Sequence, residues 1–379
     1  MKKGKLFKWF AMVIGVCISV LSIGSGAFAK TSETATGDLV VVDNECLILQ
    51  DNQMADICDS VIKNVTEKYE GIYSFNNFKV YFFNEHEESD NLVVDIEVTV
   101  DMTLIRHPQA SPFVQGMDQE IQNMTDFAKK NTAIAVRNAY LSQVDQYYML
   151  PVLAGFCYRV YIPNTQAARI DSLALPQFSI FHRVDTEEGE ILTEMQENEV
   201  FTENRSEGDG KDYIYNAIRV KPDPASVYRI TYRPSDAVSY AVEHATDEPE
   251  YSAANGNGSD CANFVSKCLF EGGIPKDTDG GYSAGWYPGS LNWIQTGYNG
   301  ETGVVLYLQK KGYFAPASDS DIIWGGNVMS WNNKSHVAMV TGMDGTSIYY
   351  SHHSNVVKEN VYYVYDSSVD NVTFHVPKV

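Results

Sequence analysis

Apolar positions recur at helical spacing across Gln53–Tyr69, where Met54, Ile57, Val61, Ile62 and Val65 share a face. The period then drops to two, so 78–83 and 92–104 read as strands. In the second of these, Val94, Ile96, Val98, Val100 and Met102 fall on one side. Helical spacing returns as one long helix over Met117–Tyr140, carrying Ile121, Met124, Phe127, Ile134 and Val136. Further strands are expected at 156–162, 178–184 and 214–220. This pattern predicts an α+β region, a curved sheet packed on two helices.

Breakers then accumulate. Residues 204–212 read as a Gly- and charge-rich turn, and Pro222-Asp223-Pro224 is a second breaker. Beyond them glycine becomes dense, and four of the five tryptophans fall between Trp286 and Trp331, so a boundary is expected at 222–234. It separates an α+β domain of unknown role, 45–225, from a second domain, 230–379. Nothing in the first domain carries recognisable chemistry. Glu85, His86, Glu87 and Glu88 read as a solvated turn between strands, and His107 and His182 as surface or internally satisfied residues.

At the start, Lys2, Lys3, Lys5 and Lys8 precede an apolar run, Ala11–Ile23, and the small-x-small pattern Ala27-Phe28-Ala29. That is the layout of a signal peptide over 1–29. The run falls short of the ~20 residues a membrane span needs. The expectation is therefore a secreted, extracellular protein, with cell-wall association as an option, no integral span after cleavage and a flexible lead-in over 30–44. The chain has 379 residues and a formal charge of −21, and cleavage would remove four lysines and no carboxylate. So acidic a chain is not expected to bind nucleic acid.

Five cysteines would remain: Cys46, Cys58, Cys157, Cys261 and Cys268. An odd number in an exported chain leaves a thiol over, and none has metal-site spacing, so no metal or cofactor is expected. Phe264, Val265, Cys268 and Leu269 form a helical stripe that ends at Gly272-Gly273, with Ser259 or Asp260 as N-cap. Cys261 then sits in the first turn, where free N–H groups and the helix dipole favour a thiolate and can hold an oxyanion. Cys268, deeper on the stripe, reads as structural. A shorter helix, capped by Ser235, is expected over 235–244. A thiol nucleophile needs a base, and the base an orienting partner. His336 begins a strand that runs to Val340; a turn at Asp344-Gly345 leads to a second, Ile348–His353, with His352, His353 and Asn355 near its end. Strand alternation allows only one of His352 and His353 on the site face, and spacing alone does not choose.

Tyr232-Arg-Pro-Ser-Asp, the string Asp260-Cys-Ala-Asn-Phe-Val-Ser266, the segment His336-Val-Ala-Met-Val-Thr-Gly342 and His353-Ser-Asn355 together resemble the putative amidase domain family of secreted bacterial proteins. That family lies in the papain-like NlpC/CHAP superfamily of cysteine hydrolases, and the resemblance covers about 232–366. It implies a papain-like C-terminal domain, with a catalytic helix packed on a small antiparallel sheet, preceded by a separate α+β domain. It further implies Cys261 as nucleophile, His336 as base and then acid, and His353 as third residue, with His352 and Asn355 as alternatives. Asp260 and Asn263 flank the nucleophile: Asp260 as a cap, Asn263 as a substrate donor or a packing residue. One departure is Asn327, in Gly325-Gly326-Asn327, where relatives carry Asp. Trp286 and Trp293, with Tyr287, Tyr298, Trp324 and Trp331, are candidates to wall a groove for a sugar–peptide ligand.

The expected function is a secreted cysteine amidase or endopeptidase cutting amide bonds, with peptidoglycan peptides as substrate and an acyl-enzyme intermediate. The same residues also suit acyl transfer to an amine. The alternative is a catalytically weak or inactive amidase fold acting as a cell-surface binding module.

Overall fold

In the computed structural model, which describes residues 30–33, 39–164, 178–186, 189–219, 231–251, 260–318, 321–353 and 362–378, two long strands organise the amino-terminal half. They are β3 (Tyr73–Glu88) and β4 (Asn91–Leu104), paired antiparallel. The even positions of β4, Val94, Ile96, Val98, Val100 and Met102, are buried in one core with Ile57, Val61, Ile62 and Val65 of helix α1 (Asp51–Lys68). The alternation read from the sequence is the face that α1 covers. On the other face β4 carries Asp95 and Glu97, both buried. Arg159 pairs with Asp95 at 2.6 Å, and Tyr363 donates to Glu97 at 3.3 Å.

Strand β1 (Lys30–Glu33) pairs with β2 (Leu39–Asn44), which lies parallel to β3. Strand β5 (Pro151–Pro163) runs antiparallel to β4 along its length and has two partners on its other side. Tyr158–Tyr161 pair with β6 (Ser179–Thr186), which continues to β7 (Gly189–Glu194). Ala154 and Gly155 pair parallel with β12 (Tyr362–Val364). Through β12 the sheet continues into β11 (Ile348–Ser351), β10 (Val337–Met343), β9 (Val328–Trp331), β13 (Val372–Pro377) and β8 (Phe314–Pro316). Among the described residues all thirteen strands join one sheet, so the architecture is mixed α+β.

The expected separate amino-terminal domain is not what packs here. Helices α2 (Pro112–Asn123), α3 (Phe127–Val144) and α4 (Glu207–Ala217) place Phe113, Met117, Tyr140, Leu141, Val144 and Ile214 against Ala338, Val340 and Tyr350. On the opposite face, α5 (Pro234–His244) and α6 (Asp260–Glu271) meet Val337 and Met339. Strand β10 is therefore buried at every position. Its unbroken apolar run, Val-Ala-Met-Val, follows from being covered on both faces.

Local details also depart from expectation. The long helix over Met117–Tyr140 breaks at Met124–Asp126, because Asp126 caps α3 by accepting the Ala128 and Lys129 N–H groups at 2.9 and 3.1 Å. Of the strand expected at 214–220, 214–217 are instead the end of α4 and 218–219 a turn; the Ser206–Asp209 capping box starts this helix where a turn was expected. Helices α2 and α4 touch backbone to backbone: a methyl on Gly116 would lie 2.0 Å from the Glu207 carbonyl oxygen. Helix α5 starts at Pro234 with Arg233 as N-cap, two residues ahead of the expected Ser235 cap. Glu85 is no solvated turn residue, since its carboxylate accepts the N–H groups of Leu47, Ile48 and Leu49 at 2.6–2.9 Å. The signal-like segment, 34–38 of the lead-in and the 222–224 breaker lie outside the described residues, while 30–33 and 39–44 of the expected flexible lead-in form β1 and β2, held by pairing with each other and with β3. None of the five cysteines after residue 29 is in a disulfide.

Buried charge ties the two halves together. The Lys68 ammonium lies between Glu199, at 2.8 Å, and Asp366, all three largely shielded from solvent. Tyr73 donates to Asp344 at 2.8 Å, in the turn after β10. Removing one partner of a buried cluster leaves the others uncompensated, so Lys68→Ala should cost about 3–5 kcal/mol in urea unfolding at pH 7. A loss below about 1 kcal/mol would mean the cluster carries little.

Candidate functional site

Helix α6 packs on β10 through Phe264, Val265, Cys268 and Leu269, the stripe visible in the sequence. Cys261 is in its first turn and 3% exposed. Cys268 is fully buried, and that burial pushes its thiol pKa well above the usual range, as befits a structural residue.

His336 immediately precedes β10 and is 2% exposed. It lies opposite Trp331 of β9, with the two rings 4.6 Å apart. His352 follows β11, the neighbouring strand of the hairpin, and its Nδ1 is 3.0 Å from His336 Nε2, the rings at 89°. Burial first, and then the neighbouring imidazole of His352, holds His336 well below the ordinary histidine range. Burial, followed by the charges of His353 and Arg183, lowers His352 to about 3. Both rings are thus neutral at pH 7, and one nitrogen of the pair donates to the other.

His353 turns the other way. It sits 5.5 Å from the Phe264 ring of α6, with Nδ1 against the Asp260 carboxylate and Nε2 against the Asp247 carbonyl. Two acceptors on the two ring nitrogens require both to carry hydrogen. Burial would lower the His353 pKa, but the Asp260 hydrogen bond and charge raise it. The expected His336–His353 partnership is therefore replaced. Alternation along the chain sends His352 to His336 and His353 to the nucleophile's helix. Asn355, the other alternative, lies outside the described residues.

Asp260 is not the helix cap it was expected to be. Its Oδ1 accepts the Glu250 and Tyr251 N–H groups at 2.8 and 2.9 Å, and Oδ2 meets His353. It thus ties the 250–251 segment and residue 353 to the first turn of α6. Burial would raise its pKa, yet the His353 and backbone hydrogen bonds lower it.

Three more expectations change. Asn263 is buried and spends its amide inside the protein, donating to Glu250 and Asp260 at 3.3 Å and accepting Trp293 Nε1–H at 2.8 Å. Trp286 and Trp293 wall no groove. Both are buried, packed together at 4.6 Å, with Tyr307 stacked on Trp286 at 5.7 Å. Trp331 is likewise buried, while Tyr287, Tyr298 and Trp324 are half-buried. Asn327, at the position where the resemblance led to an expected Asp, accepts the Trp324 N–H at 2.6 Å, so an amide oxygen closes the turn without a charge. Sequence reasoning missed the contact of Trp331 with His336; the pairing of β9 with β10 is the signal that would have placed them opposite each other. Among the described residues no group of three or more His, Cys, Asp or Glu is arranged to hold a metal ion.

Residues 231–376, from just before α5 to the end of β13, match the family described as a putative amidase domain. No curated protein matches the chain, and no solved structure does. The matched domain points to amide hydrolysis, so the substrate carries an amide bond. It contains Cys261, His336 and His352 alike.

Two outcomes test these assignments. The Asp260–His353 pair needs a carboxylate and an imidazolium. The lowered Asp260 pKa makes its share available above about 3.8 and lost as pH falls through the folded value. The raised His353 pKa makes its share complete below about 6.5 and lost as pH rises through the folded value. The stability difference between wild type and Asp260→Asn should therefore peak between about pH 4 and 6.5 and shrink above; a difference flat with pH would refute the ion pair. Trp293→Phe keeps the ring but orphans the buried Asn263 oxygen, and should cost about 1–3 kcal/mol in thermal unfolding with KM unchanged. A raised KM with intact stability would return Trp293 to a substrate groove.

Proposed function

We propose that the chain is a cysteine-dependent amide hydrolase working through Cys261, His336 and His352. The observation that carries this reading is the 3.0 Å His336 Nε2–His352 Nδ1 contact, beside the strand on which the helix of Cys261 packs. With Nε2 of His336 held by His352, Nδ1 is the nitrogen that serves the thiol. His336 Nδ1 takes the Cys261 proton, and the sulfur attacks the amide carbonyl carbon. The resulting oxyanion is stabilised by N–H groups at the start of α6. Collapse breaks the C–N bond, and His336 returns its proton to the leaving amine. Water, deprotonated by His336, then cleaves the acyl-enzyme and regenerates the thiol. His352 plays the orienting part expected of His353.

The helix on an antiparallel hairpin supports a papain-like arrangement of the carboxy-terminal region. The signal-like first 29 residues and the family resemblance support secretion, and with it peptides of the cell wall as the first substrates to test. We expect Cys261→Ser and His336→Ala each to lower kcat by at least about 1,000-fold on muropeptides, and His352→Ala by roughly 10–100-fold. Activity surviving in Cys261→Ser would end the cysteine reading. The pH profile has a definite sign. His336 must be neutral to act, and its pKa lies well below 6.5. Hence kcat/KM should stay level as pH falls through 6.5 and decline only in more acidic solution. A half-loss at pH 6.5 would contradict a buried neutral base.

A further inference from the structure

A chamber of about 60 Å³ lies between α1, β5, β6 and the loop that follows β12, with His352 in its wall. That is room for about two waters. Asn64, Tyr158, Arg183 and Asp370 also line it, and each has a buried polar atom with no hydrogen-bond partner among the protein groups: Oδ1, Oη, Nε and Oδ1 respectively. Four such atoms around one small space mark a place built for a polar occupant. Trp331, which packs on His336, approaches Asp370 as well, yet its indole N–H completes no hydrogen bond there.

The tautomers of the two histidines say what the chamber must supply. If His336 acts through Nδ1, its Nε2 carries the hydrogen donated to His352 Nδ1. His352, itself neutral, then carries its hydrogen on Nε2 and needs an acceptor. The carboxylates in the wall are not equivalent. Asp185 is taken by Arg183 at 2.6 Å, and Asp366 by Lys68 and Ser368. Asp370 has only its Oδ2 engaged, by the Asp366 N–H at 3.1 Å, and although burial pushes its pKa up to about 7, either protonation state leaves an oxygen able to accept. The remaining ionisable neighbours of His352 are unsuited. Tyr350, Tyr363 and Cys157, kept protonated by burial, are weaker acceptors than a carboxylate, and His182 is bound to Glu199 at 3.0 Å.

We infer that ordered water in this chamber joins His352 Nε2–H to the Asp370 carboxylate, making Asp370 a positioning residue that fixes the tautomer of His352 and, through it, of His336. The inference rests on the assignment of His336 and His352 given above. Arg183 and Asn64 complete the hydrogen bonding of the same water. The amino-terminal region thereby furnishes part of the wall behind the catalytic histidines. Outer partners that orient a histidine in this way are worth roughly 10–100-fold in activity.

The test is the tautomer of His352 in the ¹⁵N-labelled full chain, read by two-bond ¹H–¹⁵N correlations at neutral pH, alongside kinetics on muropeptides. Wild type should show Nε2–H. Asp370→Ala should mix the tautomers and lower kcat roughly 10–100-fold, with KM within about twofold. Asp370→Asn keeps an acceptor oxygen and should retain the wild-type tautomer and most of kcat. An Nδ1–H tautomer in wild type, an unchanged tautomer in Asp370→Ala, or an Asn variant as impaired as the Ala variant would each overturn the inference. Should Asp370→Ala fail to fold, the wild-type spectrum and a high-resolution crystal structure decide: a chamber with no water between His352 and Asp370 refutes it. Because the tautomer is read without turnover, an active Cys261→Ser would sink the cysteine mechanism while leaving the Asp370 result to be judged separately.

Discussion

Strand β10 has no solvent face. A strand buried at every position is stable only if something covers both sides, and here α5 and α6 cover one while α2, α3 and α4 cover the other. The candidate base stands at the start of this strand, and its partner histidine at the end of the next. Their burial, which keeps both rings neutral, therefore depends on helices contributed by the amino-terminal half as much as on the helix that carries Cys261.

That dependence explains why so much charge is buried where the halves meet. Asp95, Glu97, Arg159, Arg183, Lys68, Glu199 and Asp366 would each be costly in isolation, and they persist because nearly every one is matched. Such matching adds little net stability over an apolar interface, but it fixes geometry, since a shift of one residue in the β5–β12 pairing would pull Asp366 from Lys68 and Tyr363 from Glu97. The exposed ion pairs elsewhere, such as Lys63–Glu67 at 3.9 Å, carry no such constraint.

What could be read in the sequence was what depends on local periodicity. The α1 stripe, the alternation of β4, the α6 stripe with Cys261 in its first turn and the β10–β11 hairpin all follow from spacing between near neighbours. What could not be read depends on distant partners. Trp286 and Trp293 look like ligand-facing aromatics until Asn263 and Tyr307 are seen to enclose them. Ile214 has a strand-like neighbourhood, but the Ser206–Asp209 capping box and a glycine-to-backbone contact with α2 make it helical. His352 and His353 are adjacent and chemically identical, so only the packing of Tyr350 and Tyr363 on one side and Phe264 on the other separates them. Arg183 and Asp370 gave no sign, because neither lies near a motif.

The parallel pairing of Ala154 and Gly155 with Tyr362 and Tyr363 bears on what a portable unit of this protein would be. The stretch that resembles a known family ends its sheet, on one side, at β12. Cut away from β5, that strand would present open N–H and C=O groups, and the back of β10 and β11 would present bare Ala338, Val340 and Tyr350. An edge of that kind recruits other chains. Grafted alone into another host, the family-like segment would carry its chemistry together with a sticky flank. The smallest transplantable piece is set by the strand at which the sheet divides, not by the limits of sequence similarity.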